Sequence, residues 1–273
     1  ITLTGTIRHH RKFHTDLPDP ENPLLDRDIY VYLPPGYEDE GNETRYPVLY
    51  MQDGQNLFNE ATSFQGIEWK LDESAEKLIK DGKIEPVIIV GVFNTEQRTA
   101  EFTAPSMADG VDFKPATKPL GDVYAKVFVE QIKPFIDQQY RTQPDPAHTA
   151  LGGSSMGAIV NLQITKLYPA TFGRLALLTP HLRNVSKEIN SAIGDDLSFL
   201  NGKKIWIDMS DKGGDNYPGK DPMADAKAFV AKMESAGLKP DADFKYTEFA
   251  GTDHNESAWQ GRVDQVLLYL YGK

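Results

Sequence analysis

Short apolar runs alternate with helix-like segments along most of the chain. Pro47–Met51 and Val87–Val92 are such runs, and the residues between Ser74 and Ile79 are spaced as on one face of a helix. Continuous apolar runs of this length are typical of strands buried on both faces, and their alternation with helices is typical of βαβ units. The pattern predicts an α/β fold with a mostly parallel central sheet flanked by helices.

The same alternation continues to the C-terminus. Helical faces are predicted over residues 127–136 and 159–167, a helix over 224–236 that Gly237 closes, and a final helix over 259–271. Further strands are predicted at 148–152, 174–178, 204–209 and 244–249. Together with two strands near the N-terminus, about eight strands are predicted.

The first two strands differ from the rest. Leu3–His14 and Asp28–Leu33 are β-rich and are separated by a loop of prolines and acidic residues, so they predict an antiparallel pair at one edge of the sheet. Residues 95–122 and 180–199 have weaker periodicity and are interpreted as insertions at one rim. We therefore expect one domain over residues 1–273, without a large lid.

Composition narrows the function classes. The 273 residues carry a formal net charge of -11, which argues against a nucleic-acid partner, because binding polyphosphate needs clustered lysine and arginine. The chain has no cysteine, and no apolar run approaches the roughly 20 residues of a membrane helix. No metal or other cofactor is expected, and the expected partner is a small-molecule or oligosaccharide ester. The chain starts at Ile1 without a signal peptide, so the compartment is unassigned; the protein is expected to be soluble, and secretion or a periplasmic location is compatible with the sequence.

One motif carries a candidate nucleophile. Gly153–Gly157 has the pattern G-x-S-x-G, preceded by a predicted strand and followed by a predicted helix, with Ser155 at its centre. A nucleophile elbow occupies such a strand-to-helix turn and needs small residues on both sides. Ser155 is the candidate nucleophile.

A serine nucleophile needs an imidazole to accept its proton and a carboxylate to orient that imidazole. His254 follows the last predicted strand and fits the order serine, acid, histidine, so it is the candidate base. His181 lies at the same rim but too early for a separate acid to precede it, and it is interpreted as cleft lining, with a purely structural role as the alternative. The remaining histidines are interpreted as structural: His9, His10, His14 and His148.

The acid is expected in the loop after the strand at 204–209. Asp211 is the preferred candidate and Asp215 the alternative. Asp208 lies within the predicted strand, where its side chain would point away from the site or hold a neighbouring loop. For each of these three aspartates, the alternative to a catalytic role is a carboxylate that is only solvated.

The loop after the third strand is expected to contribute the remaining contacts. The developing oxyanion of acyl transfer is stabilised by backbone N–H groups, for which Met156 and the Gly54–Gln55 segment are the candidates. Asp53 and Arg98 are candidate substrate contacts, as is Glu101, although a structural ion pair is the favoured interpretation of Arg98 and Glu101.

Four segments give the chain a resemblance to a known family. Arg27–Tyr37, Tyr46–Phe58, Gly153–Gly157 and Asp253–Glu256 followed by Trp259 resemble, in order, the putative esterases. That family includes enterochelin esterase-like hydrolases, S-formylglutathione hydrolase, feruloyl and acetylxylan esterases and the mycolyltransferases. The resemblance runs from about residue 25 to the C-terminus.

The resemblance implies an α/β-hydrolase fold without a large lid, with Ser155 as nucleophile, His254 as base and an acyl-enzyme intermediate. Two departures from the family pattern stand out. Ser210 and Gly213 occupy the positions at which the family usually has a glycine and its acid, and Thr179–His181 replaces a serine-proline followed by bulky aromatics.

The sequence thus predicts a serine carboxylic-ester hydrolase that acts on a feruloyl or acetyl ester of a carbohydrate, or on a related small ester. Two alternatives stay open. The first is an acyltransferase with the same acyl-enzyme, and the second is a degenerate esterase-like protein that binds a glycan or siderophore.

Overall fold

The computed structural model describes residues 3–16, 24–107, 118–182, 196–212 and 221–273. Within these ranges eight strands form one sheet in the spatial order β1, β2, β4, β3, β5, β6, β7, β8. Their bounds are β1 Thr6–Phe13, β2 Arg27–Leu33, β3 Val48–Gln52, β4 Ile88–Val92, β5 Thr149–Ser154, β6 Arg174–Leu178, β7 Lys204–Ser210 and β8 Phe244–Phe249. The predicted α/β-hydrolase architecture and the predicted strand number are confirmed.

Strand direction follows the burial of each strand. From β4 through β8 every neighbouring pair is parallel, and strands β3 to β6 are buried along almost their whole length. β1 and β2 pair antiparallel, and β2 pairs antiparallel with β4. β1 is half-buried at best, which is ordinary for the outer strand of a sheet. The predicted antiparallel edge is therefore confirmed.

Helices cover both faces of the sheet. Their bounds are α1 Leu71–Lys80, α2 Arg98–Glu101, α3 Gly121–Val127, α4 Lys133–Gln139, α5 Met156–Leu167, α6 Pro222–Ser235, α7 Glu256–Gln260 and α8 Val263–Tyr271. A π-helical turn, Phe128–Ile132, joins α3 to α4. None of the helices in the described ranges is both long and apolar enough to cross a membrane.

The core consists of two apolar layers, one on each face. In β3, Val48 and Tyr50 contribute to the layer under α3, α4, α5 and α6, whereas Leu49 and Met51 contribute to the layer under α1 and α8. Successive strand side chains point to opposite faces, so a strand covered by helices on both sides needs apolar residues at every position. This is the physical reason for the continuous apolar runs in the sequence.

The predicted final helix is wrong as one element. The chain forms α7 and α8 with a break between them, because Arg262 has φ -135 and is not helical. The Arg262 side chain is 1 % exposed and points into the protein rather than along a helix surface. A buried interaction far away in sequence therefore interrupts the helical periodicity.

The carboxyl ends of the parallel strands form one edge, where ligands of open α/β sheets bind. The residues that follow β3, β5, β6, β7 and β8 lie along this edge, and they include Asp53, Ser155, Thr179, Asp211 and His254. The fold thus gathers the candidate residues from segments that are distant in sequence.

Candidate active site

Ser155 occupies a sharp turn between β5 and α5. Its backbone has φ 56 and ψ -123, a conformation that costs a non-glycine residue about 1–3 kcal/mol. Ser155 N donates to the Leu178 carbonyl (3.0 Å), and the Ser155 carbonyl accepts from Ala158 N (3.1 Å) and His181 N (3.2 Å). The turn is therefore held by β6 and by the first turn of α5, and the strained residue is the candidate nucleophile itself.

The two flanking glycines supply room rather than an unusual backbone conformation. A Cβ on Gly153 would lie 3.0 Å from the backbone of Gly157, and a Cβ on Gly157 would lie 3.2 Å from the Cβ of Gln52. Neither glycine has a positive φ. The elbow needs both positions small because β5, α5 and β3 approach closely around Ser155.

Ser155 and His254 line the same cleft. Its volume is about 350 Å³, and its wall also includes Gln55, Trp259 and Phe64. Phe64 is the most exposed of these aromatic residues, with 60 % of its surface accessible. The structure therefore brings the predicted nucleophile and the predicted base to one cavity that is large enough for a small ester.

His254 lies in the loop between β8 and α7, directly before the residue that caps α7. The Asn255 side chain accepts a hydrogen bond from Ala258 N (3.0 Å), which fixes the end of this loop. The imidazole packs edge-on against the ring of Trp259, with ring centroids 5.3 Å apart. The cap and the indole together restrict the orientation of His254.

The surroundings of His254 keep it neutral. Burial lowers the pKa of the imidazole from its ordinary 6.5 to about 3, and electrostatic interactions with His181, Arg262 and Arg98 act in the same direction. A neutral imidazole can accept a proton from a hydroxyl group, which is the requirement for a general base.

A buried network around Asp208 holds the rim on which His254 lies. The Asp208 carboxylate accepts hydrogen bonds from Thr179 N (3.1 Å), Trp206 Nε1 (2.7 Å) and an Arg262 terminal nitrogen (2.8 Å). The other terminal nitrogen of Arg262 donates to Thr252 Oγ1 (3.1 Å), two residues before His254. Asp208 thus holds neighbouring loops, which was one of the two roles expected for it.

The structure does not bring Asp211 to His254. The Asp211 carboxylate is exposed, and both of its oxygens accept from Gly251 N, at 2.8 and 2.9 Å. These bonds lower the pKa of the carboxyl group, the Gly251 N–H being the largest cause. Asp211 holds the start of the loop that carries His254, and no hydrogen bond joins these two side chains. The alternative acid, Asp215, lies outside the described residues.

The loop after β3 forms the wall opposite the elbow. Gln55 lines the cleft, and its carbonyl accepts from Thr62 Oγ1 (2.7 Å) while its side-chain oxygen accepts from Asn94 N (3.2 Å). Gly54 instead packs against β4, where an added Cβ would lie 2.2 Å from the backbone of Gly91. Gly54 is therefore required for close contact between this loop and the sheet. Of the two expected oxyanion positions in this loop, Gln55 is the one at the cleft.

The second expected oxyanion donor, Met156, is the first residue of α5. The N–H groups in the first turn of a helix have no acceptor within the helix, and they point toward the N-terminal end. Met156 N–H is thus one of the donors at the N-terminus of α5, and this helix begins directly after Ser155.

Asp53 and Arg98 both line the cleft, but they bind each other. The Asp53 carboxylate receives two hydrogen bonds from Arg98, Nε at 2.7 Å and a terminal nitrogen at 2.8 Å, and a third from Asn94 Nδ2 (2.6 Å). Asp53 itself has φ 57, so these bonds also stabilise an unusual backbone conformation. The structural ion pair, given above as the favoured interpretation of Arg98, is present within the cleft. Direct contact of either residue with a substrate stays a prediction.

Among the described residues that line the cleft, His254 is the only histidine, so a cleft-lining position of His181 stays a prediction. His181 is buried at the elbow rim, and its N–H donates to the Ser155 carbonyl; its contact with substrate stays a prediction. The two histidines of β1, the residue directly after β1 and the residue before β5 bond to nearby side chains: His9 to Asp28, His10 to Tyr140, His14 to Asp26 and His148 to Asp145.

Glu256 lines the cleft in the first turn of α7, a position to which the sequence pattern assigns no role. Its surface is only 9 % exposed, and burial raises the pKa of its carboxyl group. One sequence signal pointed to it. Asn255 is a strong N-cap residue, and it predicts a helix start that would place Glu256 beside the base.

The chain is similar over most of its length to known proteins. A family model described as putative esterase matches residues 24–270. An endo-1,4-beta-xylanase/feruloyl esterase of Xylanibacter ruminicola is 31% identical over 243 residues, covering 88% of this chain and 29% of that protein. The chain therefore spans less than a third of that relative's length.

Solved structures that share the fold include two esterases. A ferulic acid esterase has a TM-score of 0.69 at 18% identity and 98% coverage of both chains. An enterochelin esterase from Shigella flexneri has a TM-score of 0.67 at 13% identity, covering 97% of this chain and 57% of that one.

Proposed function

This chain belongs to the putative esterase family, and from that premise we propose that it is a serine esterase that cleaves carboxylic esters through an acyl-enzyme formed on Ser155. The observation that carries the proposal is the strained elbow at Ser155, which opens on the same cleft as the neutral His254. Backbone strain of this kind persists where surrounding structure enforces it, and it is concentrated at functional sites.

The reaction proceeds in two halves. Ser155 Oγ attacks the ester carbonyl carbon while His254 accepts the hydroxyl proton, and the carbonyl oxygen becomes an anion stabilised by the N–H groups of Met156 and Gln55. Collapse breaks the bond to the alcohol oxygen, and the alcohol leaves with the proton that His254 donates. Water then attacks the acyl-enzyme, His254 accepts its proton and returns it to Ser155, and the carboxylic acid is released.

We propose Asp215, and not Asp211, as the acid that orients His254. Asp211 uses both carboxylate oxygens on Gly251 N, whereas Asp215 is the remaining candidate in the loop after β7 and keeps the order serine, acid, histidine. Asp211 then acts as a positioning residue, because it anchors the loop that leads to the base.

The pH dependence of kcat/KM tests the state of His254, and we expect its acidic limb below about pH 6. Protonated His254 cannot accept the Ser155 proton, so activity falls as the pH drops through the imidazole pKa. Because burial lowers that pKa from 6.5 to about 3, the fall moves to more acidic pH. Initial rates on a p-nitrophenyl ester from about pH 4 to 9 should therefore show no fall centred near 6.5, and a midpoint at the ordinary 6.5 or above would contradict this account.

The same assay at neutral pH compares the two aspartates. Asp215→Asn should lower kcat by about 10³- to 10⁴-fold, since an unoriented imidazole loses the correct tautomer. Asp211→Asn should stay within about tenfold of wild type, because an amide oxygen still accepts from Gly251 N. The reverse order would assign the acid to Asp211.

For the substrate, we propose a feruloyl or acetyl ester of a carbohydrate. A relative named as a feruloyl esterase supports the acyl group. The exposed ring of Phe64 on the cleft wall supports an aromatic or sugar ring as partner, because both stack on aromatic faces.

A substrate panel tests this proposal. We expect kcat/KM for a feruloylated or acetylated xylo-oligosaccharide to exceed that for an acyl-glutathione thioester and for a cyclic catecholate trilactone by about tenfold or more. Ser155→Ala supplies the blank for each substrate, so that uncatalysed hydrolysis is subtracted. Preference for the thioester or the trilactone would overturn the proposed substrate class while leaving the serine esterase chemistry in place.

A further inference from the structure

We propose that Glu256 is a specificity-determining residue that binds hydroxyl groups of a neutral, polyhydroxylated alcohol moiety and disfavours an alcohol moiety that carries a negative charge. The inference rests on the proposed function, because it concerns the same cleft and the same ester. Glu256 and a preference for an uncharged alcohol moiety are additions to that proposed function.

The first observation is the position of the carboxylate. Glu256 lies in the cleft wall with Ser155 and His254, and only 9 % of its surface is exposed. Within the described residues no side chain hydrogen-bonds to its carboxylate, and its own backbone N–H is the hydrogen-bond donor that acts on it. A partly desolvated carboxylate with so few donors has lost interactions with water, so a bound molecule that donates hydrogen bonds to it restores them.

The second observation is that Arg98, a cation in the same cleft wall, is already engaged. Arg98 directs two of its nitrogens at Asp53, which takes a further hydrogen bond from Asn94. Arg98 attracts the Glu256 charge, but Asp53 repels it. Among the described residues of this wall, the charges of Asp53, Arg98 and Glu256 therefore sum to one excess negative charge when Glu256 is ionised.

The chemistry of the ligand follows from these two facts. A carboxylate only accepts hydrogen bonds, and its two oxygens can receive two neighbouring hydroxyl groups. Hydroxyls of a neutral pentose or hexose meet this requirement. A uronic acid brings a second carboxylate into a partly desolvated wall that is already negative, where like charges repel more strongly than in water.

Kinetics on a matched substrate pair test the role of Glu256. Feruloyl-arabinose and methyl ferulate share the acyl group but differ in the hydroxyls of the alcohol. Glu256→Ala should raise KM for feruloyl-arabinose by about tenfold or more, since a hydrogen bond to a charged group is lost, and leave kcat and the methyl ferulate reaction within about twofold. Glu256→Gln should fall between the two proteins, because its amide oxygen still accepts. Glu234→Gln, an exposed carboxylate on α6, controls for net charge.

A binding measurement separates this inference from the proposed function. Calorimetric titration with arabinosyl-xylotriose should show a dissociation constant about tenfold weaker for Glu256→Ala than for wild type, whether or not any ester is turned over. Galacturonate should bind wild type more weakly than arabinose does, and Glu256→Gln should reduce that difference. Equal affinity of all variants for the neutral sugar, or equal losses on feruloyl-arabinose and methyl ferulate, would overturn the role of Glu256. If the wild-type protein binds the sugar but hydrolyses none of the esters, only the proposed function is overturned.

Discussion

Ser155→Ala should lower kcat/KM for a short p-nitrophenyl ester by about 10⁴-fold or more. Removing the nucleophile of a serine hydrolase eliminates the covalent route and leaves only the contribution of the oxyanion donors and binding. The fold should be unaffected, because the contacts that hold Ser155 in place are made by its backbone N–H and carbonyl. Steady-state kinetics together with circular dichroism measure both effects, and turnover within tenfold of wild type would refute the assignment.

A matched variant, Ser155→Gly, separates catalysis from backbone strain. Both variants lack the hydroxyl and should be equally inactive. Glycine adopts φ 56 without the steric cost that alanine retains, so Ser155→Gly should be the more stable protein by about 1 kcal/mol. Urea unfolding of the two variants measures the difference. A less stable glycine variant would mean that the elbow is not strained.

Arg262→Met should destabilise the protein by about 3–5 kcal/mol, the second large effect. The substitution leaves the Asp208 carboxylate buried without its cation, and it also removes the hydrogen bonds from Arg262 to Ser210 and Thr252. Below the unfolding transition kcat should also fall, because Thr252 belongs to the loop that carries His254. Thermal and urea unfolding, followed by kinetics at a temperature where the variant is folded, measure both losses.

Two controls make the Arg262 result specific. Arg8→Met removes an arginine from an exposed ion pair with Glu38 and should cost less than about 1 kcal/mol. Adding Asp208→Asn to Arg262→Met removes the stranded charge and should recover part of the stability. No recovery in the double variant would show that the loss comes from packing alone.

The sequence predicted those parts of the fold that depend on local pattern. The predicted strands 174–178 and 244–249 coincide with β6 and β8. The residue pattern within each strand reflects its burial, which is nearly complete in β6 and partial in β8. The final helix was predicted as one element, but Arg262 breaks it by turning inward to Asp208. That partner lies 54 positions away, and periodicity within one segment carries no information about it.

In the candidate site, too, some residues can be predicted from local sequence pattern and others depend on three-dimensional packing. Ser155 and His254 could be named because each follows a predicted strand at the functional edge of the sheet. The direction of the Asp211 carboxylate depends on how its loop meets Gly251, and composition after β7 does not determine that path. Glu256 was missed because its burial results from the packing of α7 against the cleft, which becomes apparent only in three dimensions.

The central claim is that Ser155 is the nucleophile of a serine esterase, and covalent labelling tests it most directly. Wild type and Ser155→Ala are incubated with a fluorophosphonate, and intact-mass and peptide mass spectrometry locate the adduct. The account predicts one adduct per wild-type chain, on the peptide that contains Ser155, and none on the variant. An adduct on another residue, or turnover of esters without any label at Ser155, would contradict it.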